Sequence, residues 1–267
     1  MDSNESNKDD LDQFDASVLG TKKYWDEFYD QEIDNYEDSK DPGEIWFGDM
    51  VESSVVKWME KTFRERIEEP LIDIGCGNGH LLFELYESGF RNLIGTDYSE
   101  CAINLAKKIS VDQVSNPDDI NFVASDVLDP ACSDFLCSFL EKKQSPVFKE
   151  SIKCHKYSFV LDKGTFDAIS LKPKGEESLT NSSDLEERKK DIDYEARSKY
   201  AQTIHALLNS EKGVFVITSC NWTENELVDI FLPWFEKIGI IGHKTFTFGG
   251  VTGQVVSTVV FRPVNKC

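Results

Sequence analysis

The segment LIDIGCGNGHLLFEL, residues 71–85, constrains the fold of this chain more than any other. LIDI lacks a sustained polar–apolar alternation and reads as a strand buried on both faces. It runs directly into Gly75, Gly77 and Gly79, and a helical pattern opens over Asn78–Ser88. Glycine is needed where a chain turns sharply from strand to helix and where a ligand approaches the backbone. Such a unit starts a sheet that binds ligands at the carboxyl ends of its strands.

The rest of the chain supplies that sheet. Apolar runs at 70–75, 92–97, 120–126, 156–162 and 213–219 read as five strands, separated by helical patterns. Ser99 is placed to cap a helix reaching Ser110, a further helix is expected over 131–142, and another over Leu185–Asn209. Thr223 and Glu226, in TENE, have the spacing of a capping box. Two late strands are expected around GGVTGQ, within 240–262. A turn that short joins only an antiparallel pair. The expected fold class is α/β: a Rossmann-like sheet of seven strands, mostly parallel, with an antiparallel C-terminal pair and helices on both faces.

Residues 20–65 precede the first strand. Tyr24 and Phe28, and Trp25 and Tyr29, are four apart and share a helical stripe, which reads as a packed face or as a lid. Residues 1–19 read as a disordered acidic tail and 20–267 as one domain. KPKGEESLTNSSD, 172–184, reads as a surface loop.

Composition removes several function classes. A net charge of −20 opposes phosphate backbones and excludes nucleic acid as a natural partner, while favouring a basic protein. The seven cysteines are an odd number without a CxxC pair, which suits free thiols in a reducing compartment and gives no metal-ligand spacing. The beginning of the chain has neither a basic nor an apolar signal region, and no apolar run approaches a membrane span. A cytoplasmic monomer without metal or membrane contact is expected.

The glycine loop has an acid two residues before it, Asp73, and a second acid, Asp97, ends strand two, where a carboxylate can hold ribose hydroxyls. A nicotinamide site has GxGxxG facing a pyrophosphate. Here the spacing is GxGxG, His80 stands at the third glycine position, and Asp73 suits a cation better than a phosphate. A third acid, Asp126, follows strand three. Acids at three successive strand ends argue against a mere tight turn.

This DxGxGxG pattern resembles the S-adenosylmethionine methyltransferases of the Rossmann-like class. The segments GTKKYWDEFYDQE, GEIWFGD, LIGTDYSECAINLA, LDKGTFDAISL, VFVITSCNWTENEL and FTFGGVTGQ extend the resemblance over about Gly20–Phe261. They are similar to the lysine methyltransferases that act on translation elongation factor 1-alpha. Only 129–156 and 172–193 are longer than that pattern. The resemblance implies S-adenosyl-L-methionine as cofactor and contacts to it from Asp73, Gly75, Cys76, Gly77, Gly79, Asp97, Tyr98, Ser99, Asp126 and Val127; Trp46 is an aromatic candidate to stack beside the cofactor or meet a cationic amine, with core packing as its plainer role. It also implies elongation factor 1-alpha as protein substrate. Another protein or a small amine is the alternative acceptor, and a nicotinamide enzyme or a non-catalytic acidic module are the alternatives of other classes.

Methyl transfer to lysine needs a neutral amine, although free lysine titrates at about 10.4. Apolar walls favour the neutral form and a carboxylate orients it. Asp162, at the end of strand four, is the candidate for that orientation, with a turn or cap as its plainer role. Asn221 and Trp222, after strand five, are candidate substrate contacts, and core packing is the plainer role for Trp222. Lys163 is expected to point away from a cationic substrate or to pair with an acid.

Overall fold

In the computed structural model the protein is described over residues 16–116, 119–143, 156–174, 193–243, 246–248, 251–253 and 256–264. Five strands, β1 (Leu71–Ile74), β2 (Leu93–Asp97), β3 (Ile120–Ala124), β4 (Phe159–Lys163) and β5 (Val214–Ser219), run parallel. β6 (Phe235–Ile240) and β9 (Ser257–Pro263) complete a seven-stranded sheet of order β3–β2–β1–β4–β5–β9–β6. β9 pairs antiparallel with both β5 and β6. The reversal of strand order beside β1 leaves a crevice at the carboxyl ends of β1 and β4, where ligands of such sheets sit.

The strands around GGVTGQ are β7 (Phe246–Phe248) and β8 (Val251–Gly253), and they form a separate antiparallel ribbon. The antiparallel pair of the main sheet is β6 and β9, so the short turn does not join the pair that was expected. β6 carries the pattern FEKIGI with only its first residue buried. An edge strand exposes one rim, and its hydrophobic signal is correspondingly weak.

Helices cover both faces. α1 (Lys22–Ser39) and α2 (Gly48–Phe63) precede the sheet, and α3 (His80–Glu87) and α4 (Glu100–Gln113) follow β1 and β2. α5 (Cys132–Lys143), α6 (Thr165–Ser170), α7 (Tyr194–Leu207) and α8 (Glu224–Phe231) complete the set among the described residues. The starts follow local chemistry. Ser99 Oγ accepts from the Ala102 amide, and Thr223 and Glu226 form the expected reciprocal capping box. α1 is fastened to α4 by Tyr36, whose hydroxyl donates to Asp112 at 2.6 Å, and by Lys40 on the same carboxylate at 3.0 Å. Residues 1–15 and most of the 172–184 loop lie outside the described residues. Residues 16–19, assigned above to the tail, belong to the fold: Ser17 donates its amide to the Leu171 carbonyl.

Two apolar clusters flank the sheet. The second centres on Phe231 of α8, fully buried, with Phe166, Phe215 and Phe261 at centroid distances of 5.1, 5.4 and 5.6 Å. Truncation there removes a ring in contact with elements α6, β5 and β9 at once. Phe231→Ala should lower the unfolding free energy by about 3–5 kcal/mol, measurable by urea denaturation.

Candidate functional site

The glycine loop is built by backbone need. Gly75, Gly77 and Gly79 have φ of 66°, 54° and 84°, in the left-handed region. A Cβ on Gly77 would lie 2.4 Å from the Tyr29 hydroxyl, and one on Gly75 would lie 2.0 Å from Thr165 Oγ1. The loop therefore folds against α1 on one side and α6 on the other. Gly77 also donates its amide to Asp97 at 3.1 Å, and Ser99 donates to the other oxygen at 2.9 Å. The tip of β2 is thereby locked to the loop after β1. Burial pushes the Asp97 carboxyl up to about 6, opposed by those two amides.

These elements line a cavity of about 1040 Å³, large enough for a nucleoside-bearing ligand and a side chain beside it. One end, at the tips of β2 and β3, is formed by Asp97, Tyr98, Asp126 and Val127, and the loop Gly75–Gly77 lines the middle, against Thr165. Asp126 is exposed, and its carboxylate accepts from the Leu128 amide at 2.8 Å. The other end is formed by Lys163–Thr165, Asp167 and Asn221, with Trp46 and Phe47 alongside. Trp46 Nε1 is buried and has no hydrogen-bond partner among the described residues. An orphaned donor in a cavity wall is a feature that a bound ligand can satisfy.

The N-terminal stripe is wall as well as packing. Tyr24, Trp25 and Tyr29 line the cavity, and Trp25 meets Trp46 at 5.1 Å. Sequence periodicity places these rings on one face but does not say what the face covers. The signal available was the bulk of the rings beside a motif, GEIWFGD, that brings a further Trp.

Five of the residues singled out above stand outside the cavity lining. Gly79 starts α3 and packs under Phe122, and Ser99 is spent on capping α4. Asp73 is buried in β1 behind the loop, where desolvation raises its pKa strongly and the Lys163 charge opposes that rise. Trp222 is 3% exposed, donates Nε1 to Ser170 at 3.1 Å and lies under the Arg197 guanidinium. It is core, because its ring turns inward after β5 while the neighbouring Asn221 turns to the cavity. Asp162, 2% exposed, is also turned inward. Its oxygens accept from the amides of Thr165 (2.9 Å) and Phe166 (3.0 Å) and from the Tyr200 hydroxyl. It holds the start of α6, and it does not reach the cavity.

Lys163 alternates to the opposite face and lines the cavity. Its ammonium donates to the Trp46 carbonyl at 3.0 Å and pairs with Glu52 at 3.5 Å. Glu52, 1% exposed, also meets His80 Nδ1 at 2.5 Å. That bond raises the His80 pKa. Glu52 does not stand out in the sequence, since a single Glu in a helix reads as solvated, and His80 stands out there only as a departure from the nicotinamide motif.

Residues 67–250 match the family described as a methyltransferase domain. The chain is 38% identical over 251 residues to EEF1A lysine methyltransferase 2 of Danio rerio, covering 93% of this chain and 89% of that protein. It is 37% identical to protein-lysine N-methyltransferase efm4 of Schizosaccharomyces pombe, with coverages of 92% and 94%. Among solved structures, magnesium protoporphyrin IX methyltransferase from Synechocystis with bound SAH superposes with a TM-score of 0.52 at 13% identity, covering 91% of this chain and 98% of that one. That likeness is one of fold.

Two outcomes test the geometry. Gly77→Ala should cost about 1–3 kcal/mol of stability, and Tyr29→Phe in the same chain should recover part of it, because the hydroxyl goes and the φ strain stays. Urea titrations of the single and double variants measure both. Asp162 titrates near 3.9 when unfolded, and burial pushes it up to about 7 in the fold. The native state holds the extra proton between those values, so this group favours folding at low pH and loses that contribution as pH rises through the folded value. The stability of the native protein relative to Asp162→Asn should therefore decline between pH 4 and 7, by on the order of a few kcal/mol, and level off above. A difference independent of pH contradicts a buried Asp162.

Proposed function

The chain belongs to the methyltransferase-domain family, beside EEF1A lysine methyltransferase 2 and efm4, and we propose that it methylates a lysine of translation elongation factor 1-alpha using S-adenosyl-L-methionine. The observation that carries the reading is the cavity at the β1–β4 crevice, with Asp97 and Asp126 at one end and Asp167 beside aromatic walls at the other. The relatives' names supply the acceptor.

The residues present fit the cofactor. Asp97 and Tyr98 stand where ribose would be held, and Asp126 and Val127 beside the adenine position at the tip of β3. Gly75 and Gly77 offer backbone close to the ligand without side-chain bulk, and Trp46 offers a donor with no partner among the described residues. Asp73, Gly79 and Ser99 contribute from behind the wall: field, loop shape and the fixed position of Asp97. When bound, the cofactor supplies an electrophilic methyl group on a sulfonium.

The chain's own part is to position the acceptor and exclude water. Trp25, Trp46 and Phe47 form a low-dielectric approach that favours a neutral amine, and Asn221 at the rim offers it hydrogen bonds. Holding two reactants in line accounts for much of the acceleration in such a transfer, without a strong base. The net charge of −20 attracts a basic protein partner and speeds its encounter. Free thiols at Cys76, Cys101, Cys132, Cys137 and Cys220 accord with a cytoplasmic enzyme, and among the described residues no helix is long and apolar enough to cross a membrane.

Purified protein with methyl-labelled cofactor should label elongation factor 1-alpha at one lysine. Asp97→Ala should weaken cofactor binding at least about 10-fold in calorimetry, with the circular dichroism spectrum unchanged. Absence of label at enzyme excess, with the cofactor bound, refutes the acceptor.

A further inference from the structure

The end of the cavity nearest Asn221 contains one buried carboxylate, Asp167 on the first turn of α6. Its Oδ1 accepts from Ser219 Oγ at 2.5 Å, and its Oδ2 accepts from the Cys220 amide at 2.9 Å and faces the Cys220 thiol at 3.4 Å. All these donors are neutral and all come from the end of β5 and the turn after it. The carboxylate is thus fixed in orientation while its charge is left uncompensated. It makes no ion pair among the described residues, and the cavity-lining cation on the adjoining strand end, Lys163, is committed to Glu52 and the Trp46 carbonyl.

A buried carboxylate without a counter-ion is costly, and it is retained where a cation is to be received. Asp162 is likewise held by neutral donors, and what separates Asp167 from it is that Asp167 lines the cavity and Asp162 does not. Asp167 differs from Asp97 by its position, across the crevice from the nucleoside end and beside the aromatic wall. Burial raises the Asp167 pKa, as expected of a charge still lacking its partner.

We infer that Asp167 receives and orients the acceptor amine, making it the residue that selects a lysine side chain as substrate. The inference rests on the reading of the protein as a lysine methyltransferase. The acceptor enters as an ammonium, paired with Asp167. One N–H proton leaves to the carboxylate or to solvent, and the freed lone pair is directed along the cavity. The new N–C bond then forms as the bond from methyl carbon to sulfur breaks, the electron pair of the latter remaining on sulfur. The carboxylate is regenerated when its proton is lost to solvent.

Asp167→Asn keeps one acceptor oxygen for the Ser219–Cys220 turn and removes the charge. Transfer of label to elongation factor 1-alpha should fall at least about 100-fold in kcat/KM, while the dissociation constant for S-adenosylhomocysteine stays within about 3-fold. Asp167→Ala should fall likewise, and formate at constant ionic strength should restore its turnover at least about 10-fold over chloride. A residue that merely braces the turn gives no formate rescue. Native-like turnover in Asp167→Asn overturns the inference, as does a loss of turnover matched by loss of S-adenosylhomocysteine binding without rescue. A native enzyme that binds S-adenosylhomocysteine yet labels no elongation factor refutes the acceptor reading and the Asp167 role with it. Labelling by both native and variant enzyme refutes the Asp167 role alone.

Discussion

The shape of the cavity depends on one buried charge, that of Glu52. It comes from α2, outside the sheet, and meets His80 at the start of the helix after the glycine loop and Lys163 at the end of β4. The glycine loop and the end of β4 both border the crevice, so a single carboxylate ties the N-terminal helices to both. Lys163 carries the tie further, to the carbonyl of Trp46. A buried ion group of this kind is a weak source of net stability, because desolvation offsets attraction. Removing one member, however, leaves an uncompensated charge and costs about 3–5 kcal/mol. The group therefore specifies where α2 and the Trp46 wall sit more than how firmly the chain folds.

Much of this protein is legible in its sequence because the relevant signals are local. The glycines at 75, 77 and 79 are demanded by φ, the Ser99 cap and the Thr223–Glu226 box by unsatisfied amides, and the parallel strands by length and apolarity. Asp97 and Asp126 follow from strand ends alone. What local signals do not give is direction. Consecutive residues at a strand end face opposite ways, so Asp162 and Lys163 divide between the interior and the cavity, and only the partners on α6 and α7 settle which goes where. The amides of Thr165 and Phe166 and the hydroxyl of Tyr200 draw Asp162 inward. The same uncertainty applies to Asn221 and Trp222 after β5. The β6–β9 pairing was hidden for another reason: an edge strand with one buried residue in six carries little hydrophobic signal.

The acids around the crevice share a physical situation with different resolutions. Asp97 is held by backbone amides, Asp162 by amides and a phenol, Glu52 by Lys163 and His80, and Asp167 by neutral donors from the end of β5 and the turn after it. Desolvation raises the first, second and last of these above the ordinary carboxylate range. Only the manner of compensation distinguishes scaffold from wall, which is why carboxylates that look equivalent in a sequence do different work in the fold.

Gly20 sits against the backbone of Leu171 and Lys172, so closely that a Cβ there would lie 2.5 Å from the Leu171 carbonyl carbon. Some 150 residues of chain separate the two sides of this contact, and loop closure over such a distance is entropically slow to form. During synthesis the segment carrying Gly20 is made long before its seat on α6 exists. The cavity rim at this point is consequently a late-docking joint, closed by the Ser17 amide on the Leu171 carbonyl. In native-state hydrogen exchange, amides at 17–21 belong among the early-opening set, well before those of β1 and β4.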